Sequence, residues 1–181
     1  MKYTNAEYVD KEAYMDFYNS WIESDEEIIP WSADLAGKTF EDWLEFTKTV
    51  KDPKTCPKEL VAADTYFLFD ETEKIVGAVN IRWGMNERLR MHGGNIGYGV
   101  RKDERRKGYA GELLKFAVRV WNESGMDEDI QIACSSENAA SRRTIRSCGG
   151  TLSRVVDNDG AKKEIYIIAR CRTVASTRPL P

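Results

Sequence analysis

The apolar residues of this chain change their spacing along its length, and those changes leave few folds open. Tyr14, Phe17, Tyr18 and Trp21 recur at i, i+3, i+4 and i+7, and Phe40, Trp43, Leu44 and Thr47 repeat the pattern. The spacing predicts two amphipathic helices near the amino terminus. Between them lie the acidic run Glu23 to Glu27 and the segment Ile28-Ile29-Pro30-Trp31, where the proline argues for a loop. Beyond Pro53 and Pro57 the period shortens. Ala63 to Phe69 and Ile75 to Arg82 flank the polar stretch Asp70 to Lys74, which reads as an antiparallel hairpin. Ile96 to Val100 is a third strand, with Gly97 and Gly99 alternating between its apolar residues. Glycines inside a strand mark a bulge, or a place where another backbone or a ligand comes close.

From Gly108 the helical period returns, with Ala110, Leu113, Leu114, Ala117, Val120 and Trp121 on one stripe and Gly125 as a stop. A strand over Asp129 to Cys134 follows. Asn138 then caps a helix carrying Ser141, Ile145 and Cys148, which Gly149 and Gly150 terminate. Two final strands, Thr151 to Val156 and Glu164 to Cys171, flank the turn signal Asn158-Asp159-Gly160. The order ααβββαβαββ predicts an α/β fold with a mixed, mostly antiparallel central sheet and helices on both faces. Its helical crossover after Val100 brings the next strand back parallel. The length suits one domain over residues 1–175, with 176–181 as a flexible tail.

The 27 Lys and Arg against 30 Asp and Glu leave a net charge of -3, the wrong balance for a general nucleic-acid binder. No run approaches the roughly 20 apolar residues of a membrane span, and the first residues lack a secretory core, so a cytoplasmic protein is expected. Cys56, Cys134, Cys148 and Cys171 form no Cys-x-x-Cys pair, and His92 is the one histidine. That pattern argues against a zinc site or a disulfide scaffold and reads as buried free thiols.

Chemistry concentrates between Gly97 and Gly111, where a glycine-containing strand runs through the basic turn Arg105-Arg106-Lys107 into a helix start. The first N–H groups of a helix have no intrahelical acceptor and carry the positive end of its dipole, so they can hold a phosphate. Gly108, Ala110 and Gly111 would let phosphates approach those groups, and the basic turn adds charge. The pattern is neither a Walker loop nor a Rossmann fingerprint.

These residues resemble the GCN5-related N-acetyltransferase (GNAT) family. Its Arg/Gln-x-x-Gly-x-Gly/Ala signature is matched by Arg105, Gly108 and Ala110. Ile96 to Arg101 resembles the family's bulged fourth strand, and Ser135 to Ser141 its second cofactor-binding segment. The resemblance covers roughly Ala63 to Cys171. It implies acetyl transfer from acetyl-CoA, without a metal, to an amine of a small molecule or peptide, in a monomer or homodimer. It further implies that Tyr98, Gly99 and Val100 offer backbone groups to the pantetheine arm and acetyl carbonyl. Arg105, Arg106, Lys107, Gly108, Tyr109, Ala110 and Gly111 would cradle the pyrophosphate, and Asn138, with Ser141 in its segment, would bind the cofactor arm. The Val100 N–H, or one beside it, would donate to the oxyanion of the transition state.

Two departures bear on mechanism. The tyrosine that many members carry seven residues after the asparagine is Ile145 here, and the glutamate that some place five residues before it is Ala133. Neither can move a proton, which leaves proximity, an ordered water, or groups such as Tyr98 and His92. Tyr98 is equally a core tyrosine by type. The second functional class these residues allow is a non-catalytic acyl-CoA binding or sensing module. Trp21, Trp31, Trp43 and Trp83 are core residues by type, or walls of an acceptor pocket.

Overall fold

The computed structural model describes residues 1–171, so the tail expected at 176–181 lies outside the described residues. One sheet runs β1 (Lys2–Asn5), β2 (Ala63–Phe69), β3 (Ile75–Arg82), β4 (Ile96–Val100), antiparallel throughout. A second is ordered β5 (Ile130–Ser135), β7 (Ala161–Ile168), β6 (Gly150–Asn158), also antiparallel. The helices are α1 (Lys11–Glu23), α2 (Phe40–Lys51), α3 (Glu87–His92), α4 (Tyr109–Glu123) and α5 (Ala139–Ser147). The hairpin β2–β3, the glycine strand β4 and the two helices after it lie where the apolar spacing puts them. Between β6 and β7, Asp159 and Gly160 both take positive φ, 54° and 84°, as a two-residue type I′ hairpin requires.

Two elements are additional to the order ααβββαβαββ. Strand β1 is four residues long and has too few positions to show a period. It is held by its ladder to β2 and by Tyr3, whose ring stacks on Phe116 of α4 at 3.9 Å and whose hydroxyl donates to Glu112 O at 3.0 Å. Helix α3 is capped by Asn86, whose side chain accepts the Leu89 N–H at 3.0 Å. His92 is therefore the last residue of a helix. The cysteines are free, as expected, but of the four only Cys134 is buried. No helix among the described residues is long and apolar enough to cross a membrane.

The expected single sheet is divided between β4 and β5. The two strands start side by side: the Asn95 N–H donates to Gln131 O at 2.7 Å and the Gln131 N–H to Asn95 Oδ1 at 2.9 Å. Beyond that point they share no ladder among the described residues, and a cleft opens between them. Apolar faces pack on both sides. Val79 and Ile81 of β3 join Leu113, Leu114 and Trp121 of α4 in one core, while Tyr14, Phe17 and Trp43 of α1 and α2 pack with Phe67 in another. Because side chains alternate along a strand, Asn80 and Arg82 face away from the α4 core, towards the amino-terminal helices.

Candidate active site

The phase of the β3–β4 ladder decides which backbone groups of β4 face the cleft. The Arg101 N–H donates to Val76 O at 3.1 Å and the Arg82 N–H to Asn95 O at 2.8 Å, so the odd-numbered positions of β4 bond to β3. In a regular ladder the even positions then point the other way. The Tyr98 and Val100 N–H groups are thus directed into the cleft, and the Val100 carbonyl there is held by Arg105 Nε at 3.0 Å. Gly99 spends its own N–H and C=O on β3. What it contributes is the absence of a side chain, since a Cβ would run into the backbone of Ile29, which crosses it from the α1–α2 loop. At Gly97 a Cβ would stand 3.1 Å from Arg82 Nη2 and 3.5 Å from Pro30 Cβ.

The turn that follows has the backbone of an anion cradle. Arg106 takes φ 67° and Gly108 φ 92°, two left-handed residues within three positions, and α4 begins at Tyr109 with no side-chain cap. The Tyr109 and Ala110 N–H groups stand in the first turn, without intrahelical acceptors. Open space lies in front of both Gly108 and Gly111, so nothing of the protein fills the volume they face. The basic side chains do not act as one cluster. Arg105 forks onto Glu26 and lies over the Trp21 ring, and Lys107 Nζ bonds Glu104 at 2.7 Å. Glu26 also meets Lys102 at 3.6 Å, and the hydrogen bond from Arg105 is the main reason its carboxyl titrates below the usual range. Of the three basic residues in the expected phosphate cradle, Arg106 is the one with no ion pair among the described residues.

Across the cleft, Asn138 caps α5 by accepting the Ser141 N–H at 2.9 Å, so only its Nδ2 is left to serve a ligand. The Ser141 hydroxyl is 3.0 Å from Tyr98 Oη, which makes Ser141 a partner of Tyr98. Tyr98 is half-buried, and burial, opposed by that Ser141 hydrogen bond, raises its phenol to about 12. Burial also raises the Cys134 thiol nearby, keeping it protonated and a poor nucleophile.

The sequence matches the model of the GNAT acetyltransferase domain over residues 6–151. The chain belongs to the GNAT acetyltransferase family. A search of curated proteins returned no match. Among solved structures, a GNAT-family acetyltransferase from Streptococcus pneumoniae superposes with a TM-score of 0.65 at 19% identity, over 93% of this chain and 100% of that one. A putative acetyltransferase yncA from Salmonella typhimurium with its cofactor acetyl-CoA gives 0.63 at 14% identity, over 96% of each chain. A chimera of spermidine N-acetyltransferase SpeG from Vibrio cholerae and hSSAT gives 0.63 at 14%, over 93% and 96%. The fold is the one these enzymes share.

Within this GNAT domain, Ile145 is fully buried in the α4 core and touches the place a Cβ on Gly150 would take. The position is packing. A cavity of about 370 Å³ lies on the other face of the first sheet, over β2 and β3, and Arg82 of its lining lies against Gly97. Its lining includes Trp31, Thr65, Asn80, Arg82 and His92, with Asn158 and Lys163 from the β6–β7 hairpin. Of the four tryptophans weighed from sequence, Trp31 lines this cavity, Trp21 and Trp43 are core, and Trp83 stacks on Trp121 at 5.8 Å. Its polar floor escapes the sequence reading because Asn80 and Arg82 look like the ordinary outward residues of a strand. Asn80 Nδ2 donates to Thr65 Oγ1 at 3.1 Å, and Thr65 Oγ1 to Ser32 Oγ at 2.8 Å. His92 Nδ1 is buried there without a partner.

Proposed function

We propose that this chain transfers the acetyl group of acetyl-CoA to an amine held in the cavity over β2 and β3, by direct attack on the thioester. The observation that carries the reading is the β4–β5 cleft: two inward-facing amides of an unpaired strand edge lead into a turn whose exposed N–H groups suit a pyrophosphate. The residues fit the donor substrate. An extended pantetheine arm can add to the edge of β4 as a strand would, Asn138 Nδ2 can meet it from α5, and the N–H groups from Arg106 to Ala110 can take the phosphates with Arg106 supplying charge, whereas the Gly111 N–H is spent on Gly108 O at 3.0 Å.

Bound acetyl-CoA supplies an activated acyl carbon. The Val100 N–H, with the Tyr98 N–H pointing the same way, is placed to donate to the carbonyl oxygen as negative charge gathers on it. A pre-aimed donor is worth most at that moment. When the amine nitrogen bonds to carbon and the C–S bond breaks, the sulfur leaves as thiolate and the nitrogen sheds a proton. Tyr98 serves that thiolate as a hydrogen-bond donor. A phenol near 12 is a weaker acid than a thiol near 8.5 by about 3.5 units, so outright proton transfer would be uphill by about 5 kcal/mol. His92, lining the cavity, is the base candidate for the nitrogen's proton, in line with the unpartnered Nδ1.

Calorimetry with acetyl-CoA, followed by thiol release against a panel of amines, tests the reading. Binding with turnover supports it. Tight binding without turnover of any amine would turn the chain into the non-catalytic acyl-CoA module that the isoleucine at 145 also allows.

A further inference from the structure

Arg82 is a charged group of the cavity floor without a counter-ion among the described residues. It ends β3 half-buried, and desolvation disfavours its charged form. Of its five donors, Nη1 alone has an acceptor among the described residues, Gly94 O at 2.9 Å. No carboxylate pairs with it among the described residues. Arg101 shows what this chain does with a buried arginine otherwise: it is 5% exposed and held by Asp16 and by Asp103, the latter at 2.9 Å. A half-buried charge without a counter-ion, its remaining donors still open to the cavity, is placed to meet an anion that enters there.

We propose that Arg82 anchors an anionic group of the acceptor, and that the acceptor is a small amine carrying a carboxylate, of the free amino acid type. The proposal rests on the acetyl-transfer reading above and names its second substrate. The rest of the lining agrees. The charged residues of the lining are Lys51, Arg82, Arg88 and Lys163 with Glu7, Glu59 and Asp64. Lys51 already holds Glu7 and lies 3.6 Å from Asp64, which is further satisfied by Asn5 Nδ2 and Trp83 Nε1, each at 2.8 Å. The lining keeps one more positive than negative charge, and the cations among it without an ion pair in the described residues are Arg82, Arg88 and Lys163, an environment that favours an anion over a polyamine. The position is right as well. Arg82 Nη2 lies against Gly97, which has no side chain to displace it. Gly97 adjoins Tyr98 and is three residues, about 10 Å, from Val100 along the strand. A carboxylate held there stands within one small molecule's length of either cleft-facing amide.

The test follows thiol release from acetyl-CoA with L-amino acids, their carboxamides and spermidine. Free acids should be used with kcat/KM about 100-fold above the matching carboxamides and above spermidine, because an anion site left with a neutral or cationic ligand strands its charge. Arg82→Met should bring the acid-to-carboxamide ratio close to one, chiefly through KM, with acetyl-CoA affinity unchanged by calorimetry. Arg82→Lys should restore part of the preference, and it keeps the question open to measurement if the methionine variant does not fold. Equal use of carboxamides or spermidine, or a ratio that survives Arg82→Met, overturns the proposal. Failure to bind acetyl-CoA or to acetylate any amine counts instead against acetyl transfer. Arg82 is then judged by titrating N-acetyl-L-leucine and its carboxamide: a preference for the acid that Arg82→Met abolishes supports the anchor, and equal binding overturns it.

Discussion

Replacing Gly108 by glutamate separates the two properties of the phosphate turn, its backbone shape and its charge. Gly108 sits at φ 92° with open space ahead of it, so the new side chain meets no steric obstacle and its carboxylate reaches into the proposed pyrophosphate volume. The left-handed backbone costs a residue with a Cβ about 1–2 kcal/mol. That strain is present in the free and liganded protein alike and appears in a urea melt, not in affinity. The charge behaves differently. A carboxylate about 6 Å from a phosphate, at an effective dielectric of about 40, is repelled by about 1.4 kcal/mol per charge, hence about 3 kcal/mol against a doubly charged pyrophosphate. Each 1.4 kcal/mol is tenfold, so Kd for coenzyme A should rise about 100-fold. Gly108→Asn tolerates the same backbone without the charge and should stay within about fivefold of the parent. Calorimetry at two salt concentrations reads both, since the glutamate penalty should shrink as screening increases. Equal affinity of the glutamate and asparagine variants would refute the placement of the phosphates.

Other substitutions probe the cleft itself. Tyr98→Phe removes a hydrogen bond to a thiolate worth about 1.5–3 kcal/mol and should lower kcat about 10- to 100-fold with little change in acetyl-CoA affinity, as steady-state kinetics would show. Because burial holds the Tyr98 phenol near 12, the favoured form is the neutral one. Its contribution to stability is whole below about pH 10, the ordinary tyrosine value, and fades as pH rises through 12; an ultraviolet titration of wild type minus Tyr98→Phe should show no phenolate step before then. Gly99→Ala sets a Cβ against the Ile29 backbone and should cost about 1–3 kcal/mol in a denaturant melt. Gly97→Ala meets side chains that can yield and should cost less. Ile145→Tyr installs the family's tyrosine in a fully buried site against Gly150, so it should lower Tm through overpacking and leave kcat no higher.

Local pattern made the chemistry-bearing segment legible. The alternating glycines of β4, the small residues opening α4 and the Asn138 cap are each decided by neighbours a few positions away. What sequence hides is pairing at distance. Arg105 reads as a phosphate ligand until its side chain is seen on Glu26, 79 positions earlier. The acidic run from Glu23 to Glu27 reads as a solvated loop, although Glu26 holds both Arg105 and Lys102. Strand β1 is too short for its own pattern to announce it and is defined by its ladder to β2. The division of the sheet after Asn95, and the missing partner of Arg82, are likewise statements about what is absent across space. The net charge of -3 averages over a cavity whose unpaired groups are mostly positive.

The central claim is that acetyl-CoA lies along the free edge of β4 with its phosphates on the turn before α4. Amide hydrogen exchange with and without acetyl-CoA tests it residue by residue. Slowed exchange is expected at Tyr98 and Val100, whose N–H groups have no strand partner among the described residues, and at Arg106 to Ala110. Gly97 and Gly99, already bonded to β3, should change little. Protection that spares Tyr98, Val100 and the turn while appearing elsewhere on the molecule would contradict it.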